Sequence, residues 1–124
     1  VLGFNAQNLY SGDTTVSAGT IAITANPTGA FAGARNSRLD LATATSYLNL
    51  NGASALFGSL TGSGVVTNAS STAGSFLVGY DNTNSTFSGT FARFSAAAPN
   101  TVNVFKIGTG NLTFTGSGTS TGTL

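Results

Sequence analysis

The chain has 124 residues and a formal net charge of +1, with 40% hydrophobic residues, 6% charged residues, 17 Gly and no Cys, Met, Trp or His. So few charges exclude a basic footprint for nucleic acid and a polybasic membrane patch. Without Cys or His there is no ordinary zinc, iron–sulfur or haem ligand set, no disulfide, and no thiol or imidazole nucleophile.

Disorder requires low hydrophobicity and high net charge, and the chain has neither. Its polarity comes almost wholly from Ser, Thr and Asn. No apolar run approaches the roughly 18 residues that a membrane helix needs, so the protein is not expected to be embedded in a membrane. The opening Val1-Leu2-Gly3 carries no basic segment, and any signal peptide is expected to be gone already. The lack of Met and Cys suits an oxidising, extracellular setting.

Helix signals are nearly absent. Glu is missing, Lys106 is the sole Lys, and Gly or Thr interrupts almost every window. The Ala-rich stretch 30–47 is cut by Gly33, Asn36, Ser37, Thr43 and Thr45, and Leu39 and Leu41 alternate as in a strand. In chain order the pattern predicts strands at 14–17, 20–24, 38–42 and 47–50, the last running into an Asn51-Gly52 turn. Further strands follow at 56–60, 65–68, 75–80, 86–91, 102–107 and 111–115. The joints are short and rich in Gly and Asn, residues that tolerate positive φ. Sandwich connections are longer and usually richer in Pro and charge. Strand, tight corner and strand in close succession predict an all-β parallel β-helix, a β-solenoid.

Two internal echoes support that reading. Leu60-Thr61-Gly62-Ser63-Gly64-Val65-Val66-Thr67 is similar to Ile107-Gly108-Thr109-Gly110-Asn111-Leu112-Thr113-Phe114. The step Ser88-Gly89-Thr90-Phe91 repeats in Ser17-Ala18-Gly19-Thr20-Ile21. At roughly 20–25 residues per coil, the chain is expected to form a single domain, 1–124, of about five or six coils.

The blocks also match a known family. Tyr10-Ser11-Gly12-Asp13-Thr14-Thr15-Val16-Ser17-Ala18-Gly19-Thr20-Ile21 and Lys106-Ile107-Gly108-Thr109-Gly110-Asn111-Leu112-Thr113-Phe114-Thr115-Gly116 resemble two blocks of the autotransporter-associated β-strand repeat. Leu48-Asn49-Leu50-Asn51-Gly52 and Phe57-Gly58-Ser59-Leu60-Thr61-Gly62-Ser63-Gly64 resemble two more, and the order along the chain agrees. The resemblance implies a right-handed parallel β-helix exported to the bacterial cell surface. Segment 91–103 is longer than the family's usual link, so 92–101 is expected to loop out of the solenoid. The sequence has no closing series of alternating strands for an outer-membrane barrel. It is therefore expected to be a piece of such a surface protein, or a separate protein built on the same coil.

Expected inward residues are Ile21, Ile23, Leu39, Leu41, Leu48, Leu50, Val66, Leu77, Phe87, Phe91, Val102, Val104, Leu112 and Phe114, with Thr and Asn forming outer ladders between coils. A solenoid ends in sheet edges that can template further pairing. Val1, Leu2, Phe4 and Tyr10 at one end, and Leu112, Phe114 and Leu124 at the other, are the candidate self-assembly residues. In the family pattern the block ending near Gly116 leads into a block such as Tyr10–Thr15. The leading expectation is thus an extracellular structural protein whose copies stack head-to-tail into a filament or surface layer. One alternative is a fragment of a surface adhesin or spacer. A second is a β-sandwich pilin-like subunit with a donated strand at 1–7.

Catalysis and ligands are weaker readings. Acid–base work on glycans needs paired carboxylates, and Asp13, Asp40 and Asp81 are far apart in sequence. Asp13 and Asp81 read as turn residues, and Asp40 as an outward position paired with Arg38 or Arg35. No enzyme activity and no cofactor are expected. Asp81-Asn82-Thr83-Asn84-Ser85 starts like a calcium loop but lacks the Gly and the bidentate Glu, and reads as a turn. Sequons at Asn68, Asn84 and Asn111 are expected by chance. Tyr10, Tyr47 and Tyr80 are candidates for exposure to a surface glycan. Arg35, Arg38, Arg93 and Lys106 read as a solvated face.

Overall fold

In the computed structural model, residues 1–5, 8, 10–24, 33–93 and 101–118 are described. The strands among them are β1 (Leu2–Phe4), β2 (Thr14–Val16), β3 (Gly19–Ile23), β4 (Arg38–Leu41), β5 (Ser46–Asn49), β6 (Ser54–Phe57) and β7 (Ser59–Gly62). They continue with β8 (Val65–Asn68), β9 (Gly74–Val78), β10 (Ser85–Phe87), β11 (Thr90–Arg93), β12 (Val102–Lys106), β13 (Leu112–Phe114) and β14 (Ser117–Gly118). No helix occurs among the described residues.

Every strand pairs in parallel with a strand one coil away. Three sheets result: sheet I (β1-β3-β5-β8-β11-β14), sheet II (β2-β4-β7-β10-β13) and sheet III (β6-β9-β12). From β4 onward the chain visits II, I and III in rotation, so the protein is a parallel β-solenoid of about four turns. It is not a β-sandwich, and Leu2–Phe4 is not a donated strand but pairs with β3 of its own chain. The turn number is slightly below the expected five or six, and coil length varies on both sides of the assumed value, from 18 residues between Leu48 and Val66 to 27 between Phe91 and Gly118. Asp40 lies 21 residues before its neighbour Thr61, but Asn84 lies 27 before Asn111.

Parallel pairing aligns equivalent residues in columns. In sheet I one inward column runs Leu2, Ile21, Leu48, Val66, Phe91. In sheet II another joins Val16 to Leu41 and Leu41 to Gly62, then Phe87 and Phe114. In sheet III Ala55, Phe76 and Val104 align. These residues fill the lumen; Phe57, Phe76, Phe87, Leu39, Leu41, Leu48 and Leu60 are fully buried. Transfer of such side chains out of water, about 1.5–3 kcal/mol each, is the main stabilising term in a chain with almost no ions.

Most inward residues are where the sequence puts them. Leu77 is an exception: it points outward and is half-buried, while its neighbours Phe76 and Val78 fill the core. Phe76-Leu77-Val78 is apolar on both faces, so alternation carries no phase there. Leu112 and Phe114 are only half-buried, packed on the core from the last strand of sheet II. Two predicted strands are each two strands. Gly58 separates β6 from β7, and Ser88-Gly89 separates β10 from β11, because one or two small residues suffice to turn from sheet to sheet. The echo centred on Gly89 is a true structural repeat, since Thr90-Phe91 and Thr20-Ile21 occupy the same columns of sheet I. The Gly-x-Gly echo is out of phase: Gly62–Gly64 leads into sheet I, whereas Gly108–Gly110 leads into sheet II. Of the proposed loop at 92–101, Ala92 and Arg93 belong to β11, and 94–100 lie outside the described residues.

The corners explain the glycines. Gly64, Gly89 and Gly116 occupy one corner on successive coils, each just before a sheet I strand. A Cβ at Gly89 would overlap the carbonyl oxygen of Gly64 and the Phe87 ring, and one at Gly116 would overlap the carbonyl of Gly89. Gly89→Ala is therefore expected to destabilise the protein by about 1–3 kcal/mol through overpacking. Urea unfolding checks this: the midpoint should fall, while Gly12→Ala, where a Cβ meets open space, should leave it nearly unchanged.

Asparagine ties the other corners. Asn49 Oδ1 accepts the N–H of Asn51 (3.0 Å) and, one coil on, that of Ala69 (2.9 Å). Asn68 is fully buried. Its Oδ1 accepts from the N–H groups of Gly52 (2.8 Å) and Ser70 (3.2 Å), and its Nδ2 donates to the carbonyls of Thr72 (2.8 Å) and Thr101 (3.0 Å). One carboxamide thus links three successive coils, with all its hydrogen-bonding capacity used.

Candidate functional site

The candidate self-assembly residues that are described fall at the two ends of the stack. Val1 is 99% and Leu2 57% exposed, although Leu2 stands in the same column as the buried Ile21 and Leu48. Among the described residues β1 is the end strand of sheet I, and sheet II begins one strand later with β2. An open recess of about 480 Å³ lies beside this step, lined by Val1, Leu2 and residues 14–21. Phe4 is half-buried, its ring 6.4 Å from that of Phe57. Tyr10 is exposed, its hydroxyl bonded to that of Thr14 at the start of β2.

At the other end Phe114 closes an aromatic cluster, with its ring 5.1 Å from Phe91 and 6.2 Å from Phe87. Leu112 and Phe114 line an apolar cavity of about 220 Å³ with Phe91, Val104 and Lys106. Leu124 lies outside the described residues. The structure thus brings Leu112 and Phe114 together at one end, and Val1, Leu2 and Phe4 at the other.

The carboxylates are engaged singly. Asp13 accepts from Arg38 Nη2 at 2.5 Å, an exposed pair worth under about 1 kcal/mol. Asp40 points outward, as expected, but is not paired with Arg38 or Arg35; Thr61 Oγ1 donates to it at 3.1 Å. Asp81 sits in a turn and accepts from Ser59 Oγ (2.8 Å), Thr83 N (3.0 Å) and Thr83 Oγ1 (2.8 Å). The calcium-like oxygens are spent in the same way. Asn82 Oδ1 accepts the N–H of Thr109 (2.9 Å), and Asn84 Oδ1 accepts that of Asn111 (2.8 Å). Among the described residues no group of three acidic or metal-ligating side chains gathers, and no helix is long and apolar enough to cross a membrane.

Burial works against ionisation of Asp81, but the bonds from Thr83 and Ser59 and the charge of Lys106 outweigh it and hold the carboxyl below its ordinary value. A carboxyl depressed on folding stabilises the fold above its unfolded pKa, and that contribution is lost as pH falls through the lower, folded value. Stability should therefore fall as the pH drops below about 4. Asp81→Asn should flatten that part of a Tm-against-pH profile; an unchanged acid limb would show that Asp81 does not cause it.

Two features of this edge escaped the sequence reading. The segments leading into sheet II hold or adjoin every charged residue except Asp40 and Arg93, together with Tyr10 and Tyr80. Within them the Arg35 guanidinium carbon lies 5.2 Å from the Tyr80 ring centroid. The pair lies far apart in sequence and is joined only by coil stacking. The asparagine ladder did leave a signal, since Asn82-Thr83-Asn84 and Thr109-Gly110-Asn111 stand 27 residues apart. No protein-family model, curated protein or solved structure matches the chain.

Proposed function

We propose that the protein is a bacterial extracellular structural element, a β-solenoid whose copies stack end to end into a filament or surface layer. The observation that carries this reading is the mismatch between column and exposure at the ends. Leu2 occupies a core column yet is 57% exposed, and Leu112 and Phe114 are half-buried in the last strand of sheet II. Adding a further coil at either end would bury them at about 25 cal/mol per Å² of apolar area. The join extends sheet I, with β14 of one copy against β1 of the next. This is a heterologous contact that propagates without closing. The resemblance to the autotransporter-associated β-strand repeat supports export to the cell surface.

Leu2→Lys tests the reading at little risk to the fold, because Leu2 is already exposed. The wild type should sediment as polymer at rising concentration, and the variant should remain monomeric with unchanged circular dichroism. Equal sedimentation of both would contradict the proposed join. The same resemblance supports a second reading, in which this stretch is one passage of a longer surface β-helix that continues the coils covalently.

A further inference from the structure

We propose that the edge leading into sheet II carries a binding subsite for an acidic sugar, with the Arg35 guanidinium as the carboxylate donor and Tyr80 as the stacking platform. Arg35 is half-buried and packed over the Tyr80 ring, and its Nε is buried with no hydrogen-bond partner. The neighbouring cations are already committed. Arg38 is bonded to Asp13, and Lys106 donates to the carbonyls of Ile107 and Gly108. The acid nearest in sequence to Tyr80, Asp81, is held by Ser59 and Thr83 and forms no ion pair with Arg35.

Arg35 is therefore a fixed positive group without a protein anion among the described residues. It stands beside an aromatic side chain that is 44% exposed. A guanidinium offers a planar fork of donors matched to a carboxylate, and a tyrosine ring packs against an apolar face while its hydroxyl stays wet. A pyranose bearing a carboxylate presents both complements on one small ring. A nucleic-acid backbone fits poorly, because it needs several cations in line, and with Arg38 paired to Asp13 only Arg35 and Lys106 are without an ion-pair partner among the described cationic side chains.

The test compares two oligosaccharides of equal length, an oligoglucuronate and an oligoglucose, which differ only in the carboxylate. Calorimetric titration of the whole chain should show binding of the oligoglucuronate that weakens with salt, and none of the neutral chain. Arg35→Gln should weaken binding at least about tenfold, the loss of one charge-assisted contact, and Arg35→Lys by less. Tyr80→Ala should also weaken it, with unfolding curves confirming that the variant is folded. No binding by the wild type, equal binding of both sugars, or an Arg35→Gln variant that binds like the wild type would each overturn the proposal. Arg35→Gln should still sediment like the wild type, so failure here is separable from failure of end-to-end stacking.

Discussion

Replacing Asn68 by Leu should lower stability by about 3–5 kcal/mol, although the side chains are close in size and Leu is the more hydrophobic. The carboxamide is fully buried and bonds to Gly52, Ser70, Thr72 and Thr101 across three coils. Leu leaves these backbone groups without their side-chain partner, and each buried group so orphaned costs about 1–3 kcal/mol. The gain from burying an isobutyl group offsets only part of that. Urea denaturation measures the difference. A loss below about 1 kcal/mol would mean that the corners rearrange or admit water, and that the stitch is not what holds the coils in register.

Phe87→Ala should cost about as much, near 3–5 kcal/mol, for a different reason. Phe87 is fully buried in sheet II, with its ring 5.2 Å from Phe91 and 6.2 Å from Phe114. Below it in the column stands Gly62, which cannot collapse into the space left by the ring. Phe105→Ala is the control: Phe105 is 48% exposed on the outer face of sheet III, and its loss should stay within about 0.5 kcal/mol. Similar losses at both sites would contradict the assignment of lumen and outer face.

Much of this architecture was legible in the sequence because strand alternation is local. Leu39-Asp40-Leu41 and Ile21-Ala22-Ile23 declare their inward faces within three residues, and the structure buries those Leu and Ile side chains. Legibility ended where the information was not local. Gly58 looks like a residue inside a strand until the chain is seen to turn there between sheets III and II. Asn68 looks like an ordinary polar residue at a strand end, because two of its four partners, Gly52 and Thr101, lie on other coils and are set by coil lengths that vary from turn to turn. The end residues were legible as apolar, but Leu2 is notable only because it shares a column with Ile21 and Leu48. Arg35 and Tyr80 carried no joint signal, since stacking alone brings them together.

End-to-end continuation of the solenoid is tested most directly by cryo-electron microscopy of the purified chain at rising concentration. Fibres one solenoid wide are expected, with strands spaced about 4.8 Å along the axis. Each copy contributes six strands to sheet I, so joining β14 to the next β1 sets a subunit rise of roughly 29 Å at that spacing. Isolated particles at every concentration, or fibres whose strands run along the axis rather than across it, would contradict stacking.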